Sequence, residues 1–130
     1  MPALPDWRNP LNILVADDDA TTRRVLRLLL HESGHRVVAE APDGEKAIEL
    51  CDAHRPHLAF LDIDMPGVDG HEAARRIRAA HPKTGMIMVS AVPTRENVQS
   101  ALDAGACGFV VKPFNALKVE EAIRNWLKHR

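Results

Sequence analysis

The chain has 130 residues, 45% of them apolar and 27% charged, and 17 Lys plus Arg against 18 Asp plus Glu leave a net charge of −1. That is one domain's worth of chain with an ordinary soluble composition, able to bury roughly two-thirds of its unfolded surface without disulfide staples. The charge balance speaks against a bulk electrostatic nucleic-acid binder and a polybasic membrane anchor, and apolar runs such as Ile13–Ala16 and Gly85–Val92 fall far short of a membrane span.

Met1–Pro10 carries three prolines and no apolar h-region, so it reads as a short flexible lead-in, not a signal peptide, with the domain running from 11 to 130. Leu11–Ala16 is a β-rich apolar run that stops at three acids. Thr21–Ser33 reads as a helix, with Val25, Leu28, Leu29 and Glu32 at helical spacing and Gly34 ending it. Arg36–Ala41 is a second strand, and Asp43 is a good N-cap for a helix over Glu45–His54. His57–Leu61 is a third strand ending at Asp62. Ile63–Gly70 is a loop of Pro, Gly and Asp, and a third helix runs from Asp69 or Gly70 to about Ala80. Gly85–Val89 is a fourth strand followed by Ser90. Thr94–Ala104 is a fourth helix with Gly105 as its C′ residue. Cys107–Val111 is a fifth strand ending at Lys112-Pro113. Asn115 caps a last helix to about Lys128, with Val119, Ile123, Trp126 and Leu127 on its inner face. Cys51 and Cys107 have no metal or redox spacing and are expected to be reduced core thiols of a cytoplasmic protein. The seven histidines show no metal spacing and are expected in surface or packing roles.

Strands that are nearly continuous apolar runs are buried on both faces. Five of them separated by helices predict an α/β domain, a (βα)5 flavodoxin-like doubly wound parallel sheet in the order 2-1-3-4-5. Sites in such sheets lie beyond the carboxyl ends of the strands. There the sequence places Asp17, Asp18 and Asp19, then Asp62, Ser90 and Lys112. Acids after a strand commonly cap the next helix, and Asp19 is expected to be a cap or solvent-facing. Several carboxylates within a few ångströms repel unless a divalent cation joins them, and all-oxygen ligands favour Mg²⁺ or Mn²⁺. The pattern points to a phosphoryl-transfer site. Asp62 would be the nucleophile. Asp18, Asp62 and the main-chain carbonyl of Asp64 would ligate the metal, with Asp17 beside them directly or through water. Lys112 would neutralise the phosphoryl group and the Ser90 hydroxyl would bond to it.

With those residues placed, the chain resembles the receiver domain of bacterial two-component response regulators, chemotaxis regulators among them, from about Leu11 to Lys128. The likeness rests on "ILVADDDATTRRVL", "LDIDMPGVDG", "MIMVSA" and "GACGFVVKPF". It implies Asp62 as phosphoacceptor, Asp17 and Asp18 as the acidic pair, and a phosphohistidine donor on a histidine kinase or phosphotransfer protein. It implies no enzyme beyond self-phosphorylation and dephosphorylation, a cis Lys112–Pro113 peptide, and a monomer or phosphorylation-dependent homodimer without direct nucleic-acid binding. Output is expected at the face of the fourth helix, fifth strand and fifth helix, with Ser90 and Phe109 as the switch pair. Many receivers carry Thr at the place of Ser90 and Tyr at that of Phe109, and this chain has no Tyr. Little chain follows the last helix, so a stand-alone receiver is expected, with a fragment of a longer regulator as the alternative. Two rivals are a haloacid-dehalogenase-type phosphohydrolase using Asp62-Ile63-Asp64, and a binding module on the same fold that needs no phosphorylation.

Overall fold

The computed structural model describes residues 10–129, so all but Pro10 of the expected lead-in lies outside the described residues. The strands are β1 (Asn12–Ala16), β2 (Arg36–Ala41), β3 (Leu58–Asp62), β4 (Gly85–Ser90) and β5 (Gly108–Val111). They alternate with helices α1 (Ala20–Glu32), α2 (Gly44–His54), α3 (Gly70–Ala80), α4 (Arg95–Asp103) and α5 (Ala116–His129). The strands form one parallel sheet in the order β2-β1-β3-β4-β5.

Alternate residues of β1, β3 and β4 feed opposite faces, the period-2 geometry of an extended chain, while a register shift in β2 puts Val37 and Ala39 on opposite faces. Ile13, Val15, Phe60, Ile87 and Val89 pack with Leu26 and Leu30 of α1 and with Val119, Ile123 and Leu127 of α5. Leu14, Ala16, Ala59, Leu61, Met86 and Met88 pack with Ala47 and Cys51 of α2, Ala74 and Ile77 of α3, and Ala101 of α4. Both faces are therefore closed over, and function is left to the two edges where strands begin and end.

Element ends shift by a residue or two from the sequence expectation, each for a local reason. Asp19 accepts from Thr21 N–H and caps α1, so the helix starts at Ala20. β3 extends through Asp62 because that residue still pairs with Val89. Asp43, Asp69, Thr94 and Asn115 cap their helices through side-chain acceptors.

Two expectations need correcting. The stripe of α1 that meets the sheet is Leu26 and Leu30, while Val25 (42% exposed) and Leu28 (54% exposed) face away. With four leucines and a valine in one helix, spacing alone fits two stripes, and the sheet selects the one that reaches β1. Cys51 is a core thiol, but Cys107 is exposed, its Sγ donating to the Met86 carbonyl at 3.1 Å. Of the histidines, His35 is buried and its Nδ1 accepts from Leu11 N–H at 3.1 Å, a packing role. Among the described residues no helix is long and apolar enough to cross a membrane.

Candidate functional site

The sheet fixes the backbone of the site residues before any side chain does. Asp17 N–H donates to the Ala41 carbonyl, Ile63 N–H to Val89 and Lys112 N–H to Ser90, at 2.8 to 3.0 Å. The ladder thus runs past the strand ends and brings the ends of β1, β3, β4 and β5 to one place. Gly70 opens α3 directly beneath Asp62. A β-carbon at Gly70 would collide with the Asp62 carbonyl, so only glycine lets the helix approach this closely.

Lys112 Nζ lies 2.9 Å from Asp17 Oδ2 and 3.3 Å from Asp62 Oδ2. Asp17 and Asp62 are both only 3% exposed, whereas Asp18 is exposed. Carboxylate oxygens of Asp17, Asp18 and Asp62 all lie within 4.8 Å of one another. Asp62 Oδ1 accepts from Asp64 N–H at 3.2 Å, and Asp17 Oδ1 from Asp19 N–H at 2.9 Å. Among the described residues no hydrogen bond reaches the Asp64 carbonyl oxygen, which leaves it free to bind a cation. Asp19 stands apart from this cluster. Its Oδ2 accepts from the Thr22 hydroxyl at 2.7 Å, and that bond above all holds its pKa below the usual value.

Electrostatics single out Asp62. Burial, followed by the neighbouring Asp17 carboxylate, pushes its pKa from 3.8 up to about 6, against the opposing pull of Lys112. Burial also works against the Lys112 ammonium, but Asp17 and Asp62 outweigh it and hold the lysine above its ordinary pKa. One ammonium among three carboxylates leaves the cluster short of positive charge. A hard divalent cation fits that deficit, and the donor set of three carboxylates and a carbonyl is all oxygen.

Ser90 is fully buried at the end of β4. Its Oγ accepts from Val92 N–H at 3.0 Å, so it pins the loop before α4 and does not reach the carboxylates. Phe109 is half-buried on β5 and packs on the core face that α4 covers. The Lys112–Pro113 peptide is cis, as the resemblance implies.

Sequence reasoning missed Arg23. Its Nη1 donates to the Asp17 carbonyl at 2.5 Å, while its Nε lies 3.6 Å from Glu40 on β2. An arginine one turn into a helix is unremarkable in a string of letters. Only the β1–β2 pairing places Glu40 and the Asp17 loop on either side of it.

The family model for the response regulator receiver domain matches residues 13–124. The chemotaxis protein CheY of Bacillus subtilis is 41% identical over 115 residues, 88% of this chain and 96% of that protein. The transcriptional regulatory protein PdtaR of Mycobacterium tuberculosis is 39% identical over 114 residues, 88% of this chain, and the match spans 55% of that regulator's length. Among solved structures, CheY in the CheX-CheY-BeF3-Mg²⁺ complex from Borrelia burgdorferi superposes with a TM-score of 0.88 at 29% identity, over 95% of this chain and 98% of that one. The receiver domain of the response regulator NarL from Mycobacterium tuberculosis gives 0.85 at 35% identity, over 94% and 99%. The haloacid-dehalogenase-type reading finds no support: Asp62-Ile63-Asp64 closes the third strand, not the first, and the match is to a receiver.

Proposed function

The chain belongs to the response regulator receiver domain family, and from that premise we propose that residues 11–130 form a phosphoacceptor whose nucleophile is Asp62. The observation that carries this is Lys112, whose ammonium bridges Asp17 and Asp62 at the point where four strands end. A carboxylate oxygen of Asp62 attacks the phosphorus of a phosphohistidine on a histidine kinase or phosphotransfer protein. The O–P bond forms as the P–N bond breaks, and the released imidazole nitrogen takes up a proton. Asp64 N–H orients the carboxylate from one side and Lys112 from the other. Lys112 also meets the negative charge that arrives with the phosphoryl group. Asp17, Asp18, Asp62 and the Asp64 carbonyl would hold Mg²⁺ or Mn²⁺, which when bound neutralises carboxylate and phosphoryl oxygens.

Signalling follows from one added group. The phosphoryl group brings negative charge and acceptor oxygens, and Ser90 is the hydroxyl at the neighbouring strand end. The output face is α4, β5 and α5, read by a downstream protein, with the receiver a monomer or a phosphorylation-dependent homodimer. It processes no outside substrate beyond its own phosphorylation and dephosphorylation, and it binds no nucleic acid directly. A cytoplasmic setting suits the two free thiols.

Acetyl phosphate should add one phosphoryl group by intact mass, only with Mg²⁺ or Mn²⁺ present, and Asp62→Asn should abolish the gain. Undiminished labelling of that variant, mapped to another residue, would sink the assignment.

A further inference from the structure

The opposite edge of the sheet, where strands begin, holds a cavity of about 620 Å³ between the last turns of α3 and α5. That lies within the range of small-molecule sites, roughly 300 to 1,000 Å³. No carboxylate lines it, although the chain carries more acids than bases. Its charged groups are Arg78 and Lys83, joined by His57 and His129.

Helix dipoles account for part of this. Arg78 and His129 sit in the last turns of α3 and α5, where basic groups offset the helix carbonyls. Lys83 and His57 lie on neither helix and have no such reason to be there. Among the described residues no ion pair reaches Arg78 or Lys83. Arg78 spends one N–H on the Gly105 carbonyl at 3.2 Å and keeps the rest of its fork. His57 Nδ1 accepts from Asn12 N–H at 2.9 Å, so the neutral ring carries its proton on Nε2 as a donor.

The walls are set by packing. A β-carbon at Gly85 would run into the Trp126 indole, and one at Gly105 (φ +98) into the Arg78 side chain. Two glycines thus admit the aromatic wall and the arginine, so neither depends on a loop closing. Two positive charges and a ring N–H match a dianion, and the volume exceeds what a bare phosphate fills.

We propose that this cavity binds a small phosphorylated organic molecule of nucleotide size. Arg78 and Lys83 take the phosphate, and the organic body rests against Pro82 and the edge of Trp126. The site is independent of the acidic cluster at the other end of the strands.

The test uses the full chain, ¹⁵N-labelled, in Mg²⁺-free buffer with ADP as the probe. Saturable amide shifts at Thr84, Gly85, Gly105 and Cys107 are expected, and they should persist in Asp62→Asn. Cys107 supplies a second readout, since it lines the cavity while Cys51 is buried with its pKa pushed up to about 12. Bound ADP should slow alkylation of Cys107. Lys83→Glu and Arg78→Gln should each weaken binding about tenfold or more, the usual worth of a charged hydrogen bond. Three results would each overturn the proposal. Adenosine matching ADP would mean no anion recognition. Inorganic phosphate matching ADP would mean an adventitious ion only. Shifts absent here, or confined to the Asp17–Asp62 edge, would mean the cavity binds nothing of this class.

Discussion

Arg23 reaches past its own helix turn to donate a hydrogen bond to the main-chain carbonyl oxygen of Asp17 at 2.5 Å. The guanidinium is held from behind by Glu40, which Arg27 also pairs with at 3.1 Å. Glu40 belongs to β2, so the acidic loop is tied to a strand that supplies none of the cluster itself. The chain Glu40–Arg23–Asp17 therefore limits how far the loop carrying Asp17 and Asp18 can move when charge in the site changes.

Loosening that tie should cost metal affinity without removing a ligand. Arg23→Ala is expected to weaken Mg²⁺ binding by about tenfold, the scale of losses when an outer partner of a ligand is removed. Arg23→Lys should retain part of the affinity, because an ammonium can donate once where the guanidinium forks. Titration calorimetry on both variants checks this. Unchanged affinity in Arg23→Ala would mean the sheet bond from Asp17 to Ala41 holds the loop alone.

Asp62 makes the metal-free protein respond to alkali in an unusual direction. Its folded pKa is raised to about 6 from 3.8, so the native state holds a proton that the unfolded chain has released. The resulting stability is complete below the unfolded value and is lost as pH rises through about 6. Without metal, the urea midpoint should fall between about pH 5 and pH 7, by an amount worth on the order of 1–3 kcal/mol. Asp62→Asn should remove most of that slope and be the more stable protein at neutral pH. A flat profile in the unmodified protein would show that Lys112 fully compensates the buried charge.

The acids themselves should separate cleanly. Asp18 lies in the cluster, while Asp19 is committed to Thr21 and Thr22 as the cap of α1. Asp18→Asn should depress Mg²⁺ affinity far more than Asp19→Asn. The latter should leave the fold near its original stability, since the asparagine Oδ1 can still accept from Thr21 N–H, whereas Asp19→Ala should destabilise it by about 1 kcal/mol, the usual worth of a cap. Equal losses of Mg²⁺ affinity would show that the wrong acids have been chosen.

The legible features were those coded by local pattern. Continuous apolar runs marked five strands separated by turn residues, of which β1, β3 and β4 are buried while the edge strands β2 and β5 are mostly half-buried. Asp43 and Asn115 announced their helices, and five strand–helix units fitted the flavodoxin-like order that the sheet adopts. Asp17, Asp62, Ser90 and Lys112 were readable because each directly follows or ends a strand, and Lys112 does meet Asp17 and Asp62. What stayed hidden depends on side chains crossing between elements. Arg23 meets Asp17 only because α1 folds over β1. The inward stripe of α1 was ambiguous among Val25, Leu26, Leu28 and Leu30. Ser90 was expected to serve the phosphate, and its hydrogen bond to Val92 could not be inferred from composition. The amino-edge cavity joins residues from His57 to His129 and has no signature in any single segment.

His35 gives the amino end of β1 an acid sensitivity. Its Nδ1 accepts from Leu11 N–H, so protonation turns an acceptor into a second donor facing a donor. Burial holds its pKa below the ordinary 6.5, with Glu120 opposing. A depressed histidine pKa contributes stability that is present above the unfolded value and lost as pH falls below it. Asp62 has the opposite slope, so the measurement belongs in the Asp62→Asn background. There the urea midpoint should drop from about pH 7 to about pH 5. Adding His35→Gln should flatten the drop while lowering stability at neutral pH. An unchanged drop would assign the acid sensitivity to another group.

A phosphoryl group on Asp62 should be felt at a distance through the end of β4 and the loop before α4. Ser90 Oγ holds Val92 N–H at 3.0 Å, and the Val92 carbonyl accepts from Asn97 Nδ2 at 2.8 Å. Ser90 therefore reaches into α4 through two bonds, and its hydroxyl also donates to the Val92 carbonyl at 3.3 Å; a hydroxyl that turns to donate to a phosphoryl oxygen must give up that donation. Freed from Ser90, the loop can shift and carry Asn97 with it. Phe109 sits on β5 beside that helix, half-buried against the core that includes Ala101 and Ala104. A change in the position of α4 would alter the space open to this ring, so the expected two-state element is the Phe109 position coupled to the Ser90 rotamer. Because the ring has no hydroxyl, packing alone sets the balance. Beryllofluoride with Mg²⁺, which mimics the acyl phosphate, should shift amide signals across Thr94–Ala104 and Asn115–Lys128. Ser90→Ala should leave phosphorylation of Asp62 largely possible while reducing those shifts. Asn97→Ala should reduce the α4 shifts while leaving the Ser90 signal responsive, since it cuts the second bond and not the first. If Ser90→Ala shows the same shifts as the unmodified chain, the signal reaches α4 by another route and this coupling is wrong.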